Sequence, residues 1–530
     1  MIPRREDMIE RAAEAGRTWD LAVIGGGATG MGVAVDAAAR GYSVVLVERH
    51  DFGKGTSSRS TKLVHGGVRY LQQGNVSLVL EALRERGLMR ENAPHLVHDL
   101  PFIVPNYTWW EAPFYGIGLR VYDLLAGRQG FGRSRNLSRA ETIKRIPTIE
   151  TKGLRGGVIY YDGQFDDARL VAHLMRTATE HGAVCLNYTE AVKITHRSGV
   201  VKGIVVRDGE SDLEFTVKAK AVVNATGPFA DAVRSMDEPE TPPMIRPSQG
   251  VHLVLDKAYL PGGNAIMVPH TDDGRVLFAI PWRDRTVVGT TDTPIPEVSD
   301  EPTALPEEID FLLSHAARYL TRDPGPEDVL SVFAGIRPLV DSGGATTASL
   351  SRDHTLHVSR TGLVTITGGK WTTYRRMAED TVDHAASVGG LEPRPCPTKQ
   401  LHIHGYNTDS ESFGPLSTYG SDALDLQNLL REKKGWDQPL HPRLPVLAGE
   451  IVWGARNEMA RTVEDALARR TRALLLDARA SIEAAPEAAK LLAAELGRDA
   501  AWRKDQVRQY TALAKKYVLS DGVKKGKRGE

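Results

Sequence analysis

The sequence predicts an α/β fold, and two observations near the N-terminus carry this prediction. Residues 20–48 contain two apolar runs of strand length, separated by a segment of small residues with helical composition. The turn between the first run and this helix has three glycines at G-x-G-x-x-G spacing: Gly25, Gly27 and Gly30. Such glycines permit a tight turn, close approach of the backbone to a pyrophosphate, and close packing of helix on strand. We therefore expect a βαβ unit that binds a dinucleotide.

The second apolar run ends on an acidic residue, Glu48. A carboxylate at this point can accept hydrogen bonds from an adenosine ribose, whereas it would repel a 2′-phosphate. Arg49 beside it leaves NADP as a minor alternative. The N-terminus of the intervening helix adds unpaired N–H groups and the positive end of the helix dipole, which favour a phosphate. The motif predicts a dinucleotide but does not distinguish FAD from NAD.

Length and composition narrow the class of protein. A chain of 530 residues suggests roughly two to four domains. Lysine plus arginine and aspartate plus glutamate both total 67, so the charge balance gives no reason to expect nucleic acid as a partner. Cys185 and Cys396 are the only cysteines, which argues against a disulfide scaffold or a cysteine-rich metal site and favours a reducing compartment. We expect no bound metal.

The distribution of apolar residues bears on membrane association. The sequence has no uninterrupted run of about 18 apolar residues, so we expect no membrane-spanning helix. Binding in the plane of the membrane stays open, because residues 98–128 combine aromatic and basic side chains. The alternative is that this segment packs over the substrate pocket. Its aromatic and basic residues are Trp109, Trp110, Phe114, Tyr115, Arg120 and Arg128.

The loop after Glu48 is rich in hydroxyl groups and glycines, which could line a bound dinucleotide. A solvated connection between two elements is the alternative interpretation. Arg69, slightly further along, could bind an anion. The candidate cofactor ligands in this loop are Thr56, Ser57, Ser60, Lys62, Gly66 and Gly67.

Two later turns, like the first one, follow directly after a predicted strand and contain glycine. A strand-like run at 214–223 leads into Thr226 and Gly227, which suggests a backbone turn near the cofactor. Another strand at 363–367 leads into Gly368 and Gly369, and a helical segment begins after them at Lys370. This second helix N-terminus could face the pyrimidine end of a flavin, where negative charge gathers on reduction. Lys370 could serve both this flavin edge and a substrate anion.

Six motifs occur in one order along the chain: IGGGATG, TSSRSTKLVHGGVRYL, GVHLVL, GTTD, GIRPL and GGKWTTYR. In this order they resemble the FAD-dependent glycerol-3-phosphate dehydrogenases, which belong to the D-amino-acid-oxidase-like flavoproteins. The resemblance extends over nearly the full length. It implies a Rossmann-like FAD-binding domain with an inserted, mainly antiparallel substrate domain and a C-terminal α-helical domain.

The resemblance also implies an activity. We expect oxidation of sn-glycerol 3-phosphate to glycerone phosphate by hydride transfer to flavin N5, with electrons passed to a membrane quinone. We expect a cytoplasmic protein that binds peripherally to the lipid bilayer surface at the inner face of the cell membrane. The oligomeric state is open, with a homodimer among the options. The alternatives are a glycerol-3-phosphate oxidase that uses oxygen, an amine or amino-acid oxidase, an NAD-dependent dehydrogenase, and an inactive flavin-bearing scaffold.

Candidate site residues follow from the same motifs. His252 is the candidate general base, because a pKa near 6.5 suits neutral operation. Arg337 and Lys370 could stabilise the developing alkoxide and complete the catalytic set. Guanidinium groups bind a phosphate dianion in a bidentate manner. The predicted phosphate-binding residues are Arg69, Tyr70, Arg337, Arg352 and Asp292.

We assign domains from composition and pattern. The FAD-binding domain is predicted at 18–90, 151–244 and 331–390, and the substrate domain at 91–150 and 245–330. Strand–turn alternation from 245 to 293 indicates an antiparallel sheet. Helical periodicity indicates a C-terminal helical domain at 400–520. A basic tail at 521–530 is expected to be disordered.

Overall fold

The computed structural model describes residues 2–68, 71, 75–269, 271–272, 274–341 and 353–519. Three predicted phosphate ligands, Arg69, Tyr70 and Arg352, lie outside the described residues. The predicted basic tail at 521–530 also lies outside them.

The predicted strand–turn–helix–strand unit forms the centre of the first sheet. Strands β18, β10, β1, β2 and β7 lie side by side and parallel, and β17 extends this row in the antiparallel sense. Within the described residues this sheet has eight strands: β1 (Thr18–Ile24), β2 (Val44–Val47), β7 (Val184–Leu186), β8 (Thr189–Arg197), β9 (Val200–Asp208), β10 (Glu214–Asn224), β17 (His354–Val358) and β18 (Leu363–Gly368).

Helices cover this sheet and bury its apolar strands. Val23 and Val45 are fully buried, as a parallel sheet between helices requires. Asp166 caps the helix that follows it by accepting a hydrogen bond from the Arg169 N–H (3.2 Å). The helices are α1 (Arg5–Ala12), α2 (Ala28–Ala39), α6 (Asp167–Glu180), α7 (Ala230–Asp237) and α9 (Tyr374–Val388).

The second sheet is mainly antiparallel, as predicted, with β12 parallel to β4. In the described part of the chain it has ten strands: β3 (Leu63–Val64), β4 (Val97–Asn106), β5 (Arg135–Ser138), β6 (Gly156–Phe165), β11 (Ile245–Asp256), β12 (Ala265–Val268), β13 (Leu277–Trp282), β14 (Arg285–Gly289), β15 (Thr293–Pro294) and β16 (Val329–Val340). Its helices are α3 (Val76–Asn92), α4 (Glu111–Ala126), α5 (Arg139–Arg145) and α8 (Pro306–Ala317).

Three strands of the second sheet lie in ranges that the predicted boundaries assign to the FAD-binding domain. β3 falls in 18–90, β6 in 151–244 and most of β16 in 331–390. Yet β6 pairs along its whole length with β4, β3 pairs with β6, and β16 pairs with β11. An apolar run predicts a strand but not its partner, so local sequence could not place these three strands.

The C-terminal part is helical, as predicted. Its apolar side chains share one core with the second sheet, so that buried Leu467 and Leu474 belong to the same cluster as Phe102 and Trp282. The helices are α10 (Ala423–Glu432), α11 (Ala448–Asn457), α12 (Ala473–Leu476), α13 (Ala478–Leu496) and α14 (Ala500–Ala514), and Asp465–Arg470 forms a π-helix.

Among the residues that the structure describes, no helix has both the length and the apolar composition needed to cross a bilayer.

Candidate active site

Three neighbouring strands end at one edge of the first sheet. β1 leads into Gly25, β10 into Ala225 and β18 into Gly369, and the carboxyl ends of parallel strands face the same side. This edge is where ligands bind in open α/β sheets. A cavity of about 440 Å³ opens there, between the first sheet and strands β11 and β16 of the second.

The first glycine turn is packed too closely for any other residue. Gly25 has φ +108°, and a Cβ added to it would lie 2.6 Å from the Ala225 carbonyl oxygen. A Cβ on Gly30 would lie 1.9 Å from the carbonyl oxygen of Gly25. Gly27 lines the cavity, whereas Gly30 lies behind it and allows α2 to approach the turn. These contacts explain why positions 25 and 30 are glycine, and the approach of a pyrophosphate to Gly27 stays a prediction.

Glu48 follows the last residue of β2 and lines the cavity. Its carboxylate accepts hydrogen bonds from the backbone N–H of Gly26 (2.8 Å) and of His50 (2.9 Å). A carboxylate has about four lone-pair sites, so further bonds from ribose hydroxyls can be accepted. The residue is therefore fixed in orientation before a nucleotide arrives.

Ser57 joins the two glycine turns. Its hydroxyl accepts the N–H of Ala28 at the start of α2 (2.9 Å), and its carbonyl accepts the indole N–H of Trp371 (2.9 Å). Trp371 follows Gly368, Gly369 and Lys370, and all of these residues line the cavity. Both glycines have positive φ, +75° and +68°. The two turns thus face one space, which fits an extended dinucleotide such as FAD.

Most of the predicted residues within the described chain face this cavity. Among the catalytic and cofactor-binding predictions, those that line it are Gly25, Gly27, Glu48, Thr56, Ser57, Ser60, Thr226, Gly227, His252, Arg337, Gly368, Gly369 and Lys370.

His252 lies on β11 with only 2% of its surface exposed. Its ring stacks on Phe333 of β16 (centroids 4.8 Å apart), and Nε2 is 2.8 Å from the hydroxyl oxygen of Thr61. Burial, together with the positive charges of Lys62 and Arg337, holds the pKa of His252 well below its usual value. The imidazole is therefore neutral at physiological pH, but it is a weaker base than the value near 6.5 expected from the sequence would make it.

Arg337 extends from β16 across the backbone of β11. A Cβ on Gly250 would lie 2.3 Å from its Nη2, so a larger residue there would displace the guanidinium from this position. The side chain is 26% exposed and lines the cavity. The partners of the guanidinium include the Gln249 carbonyl (3.3 Å), the Thr290 hydroxyl (3.1 Å), the Thr291 carbonyl (3.0 Å) and the Asp292 carboxylate (3.3 Å).

Asp292 does not line the cavity, in contrast to its predicted role as a phosphate ligand. Its carboxylate contacts Arg337 and accepts a hydrogen bond from the Ser248 hydroxyl. A carboxylate would repel a phosphate, so its place beside the guanidinium is the electrostatically favourable one. Asp292 thus helps to hold Arg337 rather than a substrate.

Four predicted cofactor-binding residues do not face the cavity: Gly30, Lys62, Gly66 and Gly67. Thr61, Leu63 and His65 line it, whereas Lys62 is fully buried behind the wall and paired with Asp167 (2.7 Å). Lys62 has a left-handed backbone conformation (φ +62°), so the chain turns at this residue and directs its side chain away from the cavity. Neither Gly66 nor Gly67 lines the cavity, and a Cβ on Gly66 would meet Leu83 and Tyr122.

Sequence reasoning missed several residues of the site. Thr61 holds His252, and Trp371 ties the second turn to the first. Arg59 also lines the cavity, where it is held by the Glu301 carboxylate (2.7 Å) and the Asp300 carbonyl (3.1 Å). All three lie inside the motifs or the loop already recognised, but nothing in those motifs distinguishes them from their neighbours.

Comparison with known proteins places this site in a family. The FAD dependent oxidoreductase family matches residues 20–375, and the C-terminal domain of alpha-glycerophosphate oxidase matches residues 359–503. The mitochondrial glycerol-3-phosphate dehydrogenase of Mesocricetus auratus is 42% identical, over 90% of this chain and 70% of its own length. The mitochondrial enzyme SDP6 of Arabidopsis thaliana is also 42% identical, over 96% and 87% respectively.

A solved structure supports the same assignment. The glycerol-3-phosphate dehydrogenase of Bacillus halodurans, complexed with FAD, is 30% identical with a TM-score of 0.79, and the match covers 97% of this chain and 98% of that one. A cavity between two glycine turns, with the Glu48 carboxylate in its lining, is consistent with this cofactor. The chain therefore belongs to the FAD-dependent glycerol-3-phosphate dehydrogenases, within the FAD dependent oxidoreductase family.

Proposed function

We infer that this protein oxidises sn-glycerol 3-phosphate at C2 to glycerone phosphate. FAD bound in this cavity would supply the hydride acceptor, its N5 atom, and a membrane quinone is the proposed final acceptor of the electrons. The observation that carries this proposal is the shared cavity: a neutral histidine, an arginine and both glycine turns face one space. Glycerol 3-phosphate is proposed as the substrate because the relatives are glycerol-3-phosphate dehydrogenases.

Arg337 is proposed to bind the phosphate. Its guanidinium is anchored by backbone carbonyls and by Asp292, so it meets the substrate in one orientation. Anchored charge orients a phosphate more effectively than a flexible ammonium does. Lys370, at the second glycine turn, is proposed to stabilise the oxygen at C2 as its negative charge develops. Arg69, Tyr70 and Arg352 remain proposed phosphate ligands on sequence alone.

His252 is proposed to accept the proton of the C2 hydroxyl while the C2 hydrogen departs with its electron pair. A general base must be neutral before the reaction, and the burial of His252 ensures this. One of the two cations that lower its pKa is Arg337. A bound phosphate dianion offsets that charge, so substrate binding makes the imidazole more basic when it must take up the proton.

The proposal predicts a specific reaction of the bound flavin. We expect anaerobic addition of glycerol 3-phosphate to bleach the yellow holoenzyme, whereas glycerol leaves it oxidised because it lacks the anion that Arg337 binds. Glycine and proline serve as controls for an amino-acid oxidase. A flavin that stays oxidised with the phosphate ester, or that is bleached equally by glycerol, would refute the proposed substrate.

The electron acceptor is tested by reoxidising the bleached enzyme. Rapid recovery of absorbance with a soluble quinone analogue, together with slow recovery and little hydrogen peroxide in air, supports the quinone. Rapid recovery in air with stoichiometric peroxide would instead identify an oxidase.

Helix α4 is proposed to attach the protein to a lipid bilayer. Its inner face, including Tyr115, Leu119 and Tyr122, is buried in the core of the second sheet. Its outer face is apolar and exposed, which is typical of an interfacial helix. The exposed side chains on and just before the helix are Trp109 (77%), Trp110 (43%), Phe114 (48%), Ile117 (63%), Val121 (42%) and Leu124 (80%). Arg120 on the same helix is exposed and can meet anionic headgroups.

This proposal predicts that charge on the outer face of α4 releases the protein from membranes. The double variant Ile117→Glu/Leu124→Glu should lose most of its co-sedimentation with vesicles of anionic phospholipid, while its flavin reduction by glycerol 3-phosphate stays normal. Val200→Glu is the matched control, because Val200 is an exposed apolar residue (43%) on β9, in the other sheet. Equal vesicle binding by all three proteins would refute the role of α4.

A further inference from the structure

A buried cluster of charges lies directly behind the cavity wall. Lys62 and Asp167 are both completely buried, and the ammonium donates to the Asp167 carboxylate (2.7 Å) and to the Ser58 carbonyl (2.8 Å). Arg472, from the C-terminal helical domain and equally buried, donates to the other oxygen of Asp167 (2.5 Å). One carboxylate therefore holds two buried cations that lie far apart in the sequence.

Two sets of contacts connect the cluster to His252. The Lys62 ammonium lies 5.1 Å from the ring centroid of Phe333, and that ring stacks on His252. The residue before Lys62, Thr61, places its hydroxyl 2.8 Å from His252 Nε2. Fixing Lys62 thus fixes the backbone that presents Thr61, while its charge acts on the imidazole through the space that Phe333 fills.

Stability alone gives a weak reason for such a cluster. Desolvating charged groups is costly, and replacing buried ion pairs with apolar residues of similar volume is often neutral or stabilising. Asp167 also accepts hydrogen bonds from the Ser60 hydroxyl (2.7 Å) and N–H (3.1 Å), so the cluster supports a segment that lines the cavity. Its location next to the candidate base points to a role in the site.

We propose that Lys62 is a positioning residue for His252, held in place by Asp167 and by Arg472 of the helical domain. It holds Thr61 against Nε2, and its positive charge keeps the imidazole free of a proton. This inference rests on the proposed function in so far as His252 acts as the base. It also gives the C-terminal domain a part in the site, since that domain supplies Arg472.

The surroundings of His252 define what the charge of Lys62 should do. Among the described residues, the charged groups that act on the imidazole are Lys62, from the loop before β3, and Arg337, from β16. Its other neighbours, Phe333 of β16 and Gly289 of β14, are uncharged. The pKa of Lys62 is itself lowered, to about 8, mainly by burial, so the ammonium is charged at pH 7. Removing this cation should make His252 easier to protonate.

The test measures the titration of His252 directly. Hydrogen–deuterium exchange at the imidazole C2 position, followed by mass spectrometry, reports the protonation of single histidines in the intact holoenzyme. In Lys62→Met we expect the His252 midpoint to rise by about one pH unit, since a nearby like charge shifts a pKa by about 1 to 3 units. The acid limb of the flavin-reduction rate should rise with it. Lys62→Arg, which keeps the charge, should retain the wild-type midpoint.

Two further variants keep the test decisive. Lys62→Gln can still donate to Asp167 and Ser58, so it provides a neutral variant if methionine does not fold. Arg86→Met is the matched control, because Arg86 is a buried cation paired with Asp162 (2.6 Å) that does not contact His252. An unchanged midpoint in both neutral Lys62 variants, or an equal shift in Arg86→Met, would overturn the proposal.

The outcome is separable from that of the proposed function. If substitution of His252 leaves flavin reduction unchanged, His252 is not the base. The His252 midpoint in the Lys62 variants still shows whether Lys62 controls its protonation.

Discussion

Replacing Arg337 with alanine is expected to raise the KM for glycerol 3-phosphate about 100-fold while FAD stays bound. Hydrogen bonds to charged groups contribute about 1.5–3 kcal/mol, and each 1.4 kcal/mol changes an equilibrium constant tenfold. The guanidinium lines the cavity and is anchored by the Gln249 and Thr291 carbonyls, so little of its interaction with the anion is lost to disorder. Steady-state kinetics and the flavin-to-protein absorbance ratio check both parts of the expectation.

The carboxylate of Asp292 lies beside Arg337 and also affects the KM of the alanine variant. Without the guanidinium, the charge of Asp292 would itself repel a phosphate. The double variant Arg337→Ala/Asp292→Asn removes both charges, and we expect its KM to lie between those of wild type and Arg337→Ala. Arg246→Ala is the control, because Arg246 lies on the paired strand β11 but does not line the cavity. A KM in Arg337→Ala equal to that of wild type would rule out the phosphate role.

The parts of this site that were predictable depend on local rules. Gly25, Gly27 and Glu48 belong to a unit of about 30 residues in which each residue has a steric or electrostatic reason for its place. The second turn at Gly368 and Gly369 was recognisable for the same reason. In both cases a strand, a glycine turn and a helix follow one another, so neighbours in sequence are neighbours in the site.

The parts that failed depend on long-range pairing. Nothing in residues 156–165 indicates that they pair with β4, and nothing around Arg337 indicates that its strand pairs with β11. Lys62 shows the same limit on a smaller scale. Its positive φ (+62°) is uncommon for a residue other than glycine and nothing in the sequence indicates it, so Thr61 and Lys62 could not be assigned to the cavity or the core without coordinates. The sequence also contains no indication that Asp292 contacts Arg337.

Replacing His252 with glutamine is expected to slow flavin reduction by about 10²- to 10⁴-fold, the usual contribution of general acid–base catalysis. Glutamine keeps a polar group near Thr61 but cannot accept the proton of the C2 hydroxyl. The measurement is the single-turnover rate at which saturating glycerol 3-phosphate bleaches the flavin. His315→Gln is the control, because His315 is a buried histidine (3% exposed) on α8 that bonds the Phe311 carbonyl and does not line the cavity.

The pH dependence of wild type adds a second measurement with a definite sign. His252 must be neutral to act, and its pKa is lowered by burial, by Lys62 and by Arg337. The reduction rate should therefore be constant through neutral pH and fall only as pH drops through this lowered pKa, below the usual value near 6.5. In the substrate complex the phosphate dianion offsets Arg337, so the fall at saturating substrate should begin at a higher pH than the titration of His252 in the free enzyme. In His252→Gln the contribution of the imidazole to this acid limb should vanish, and only the loss from protonation of the substrate phosphate, whose second pKa is about 6, should remain. A slow variant whose acid limb keeps the wild-type midpoint would assign the proton transfer to another residue, and an unchanged rate at every pH would exclude His252 altogether.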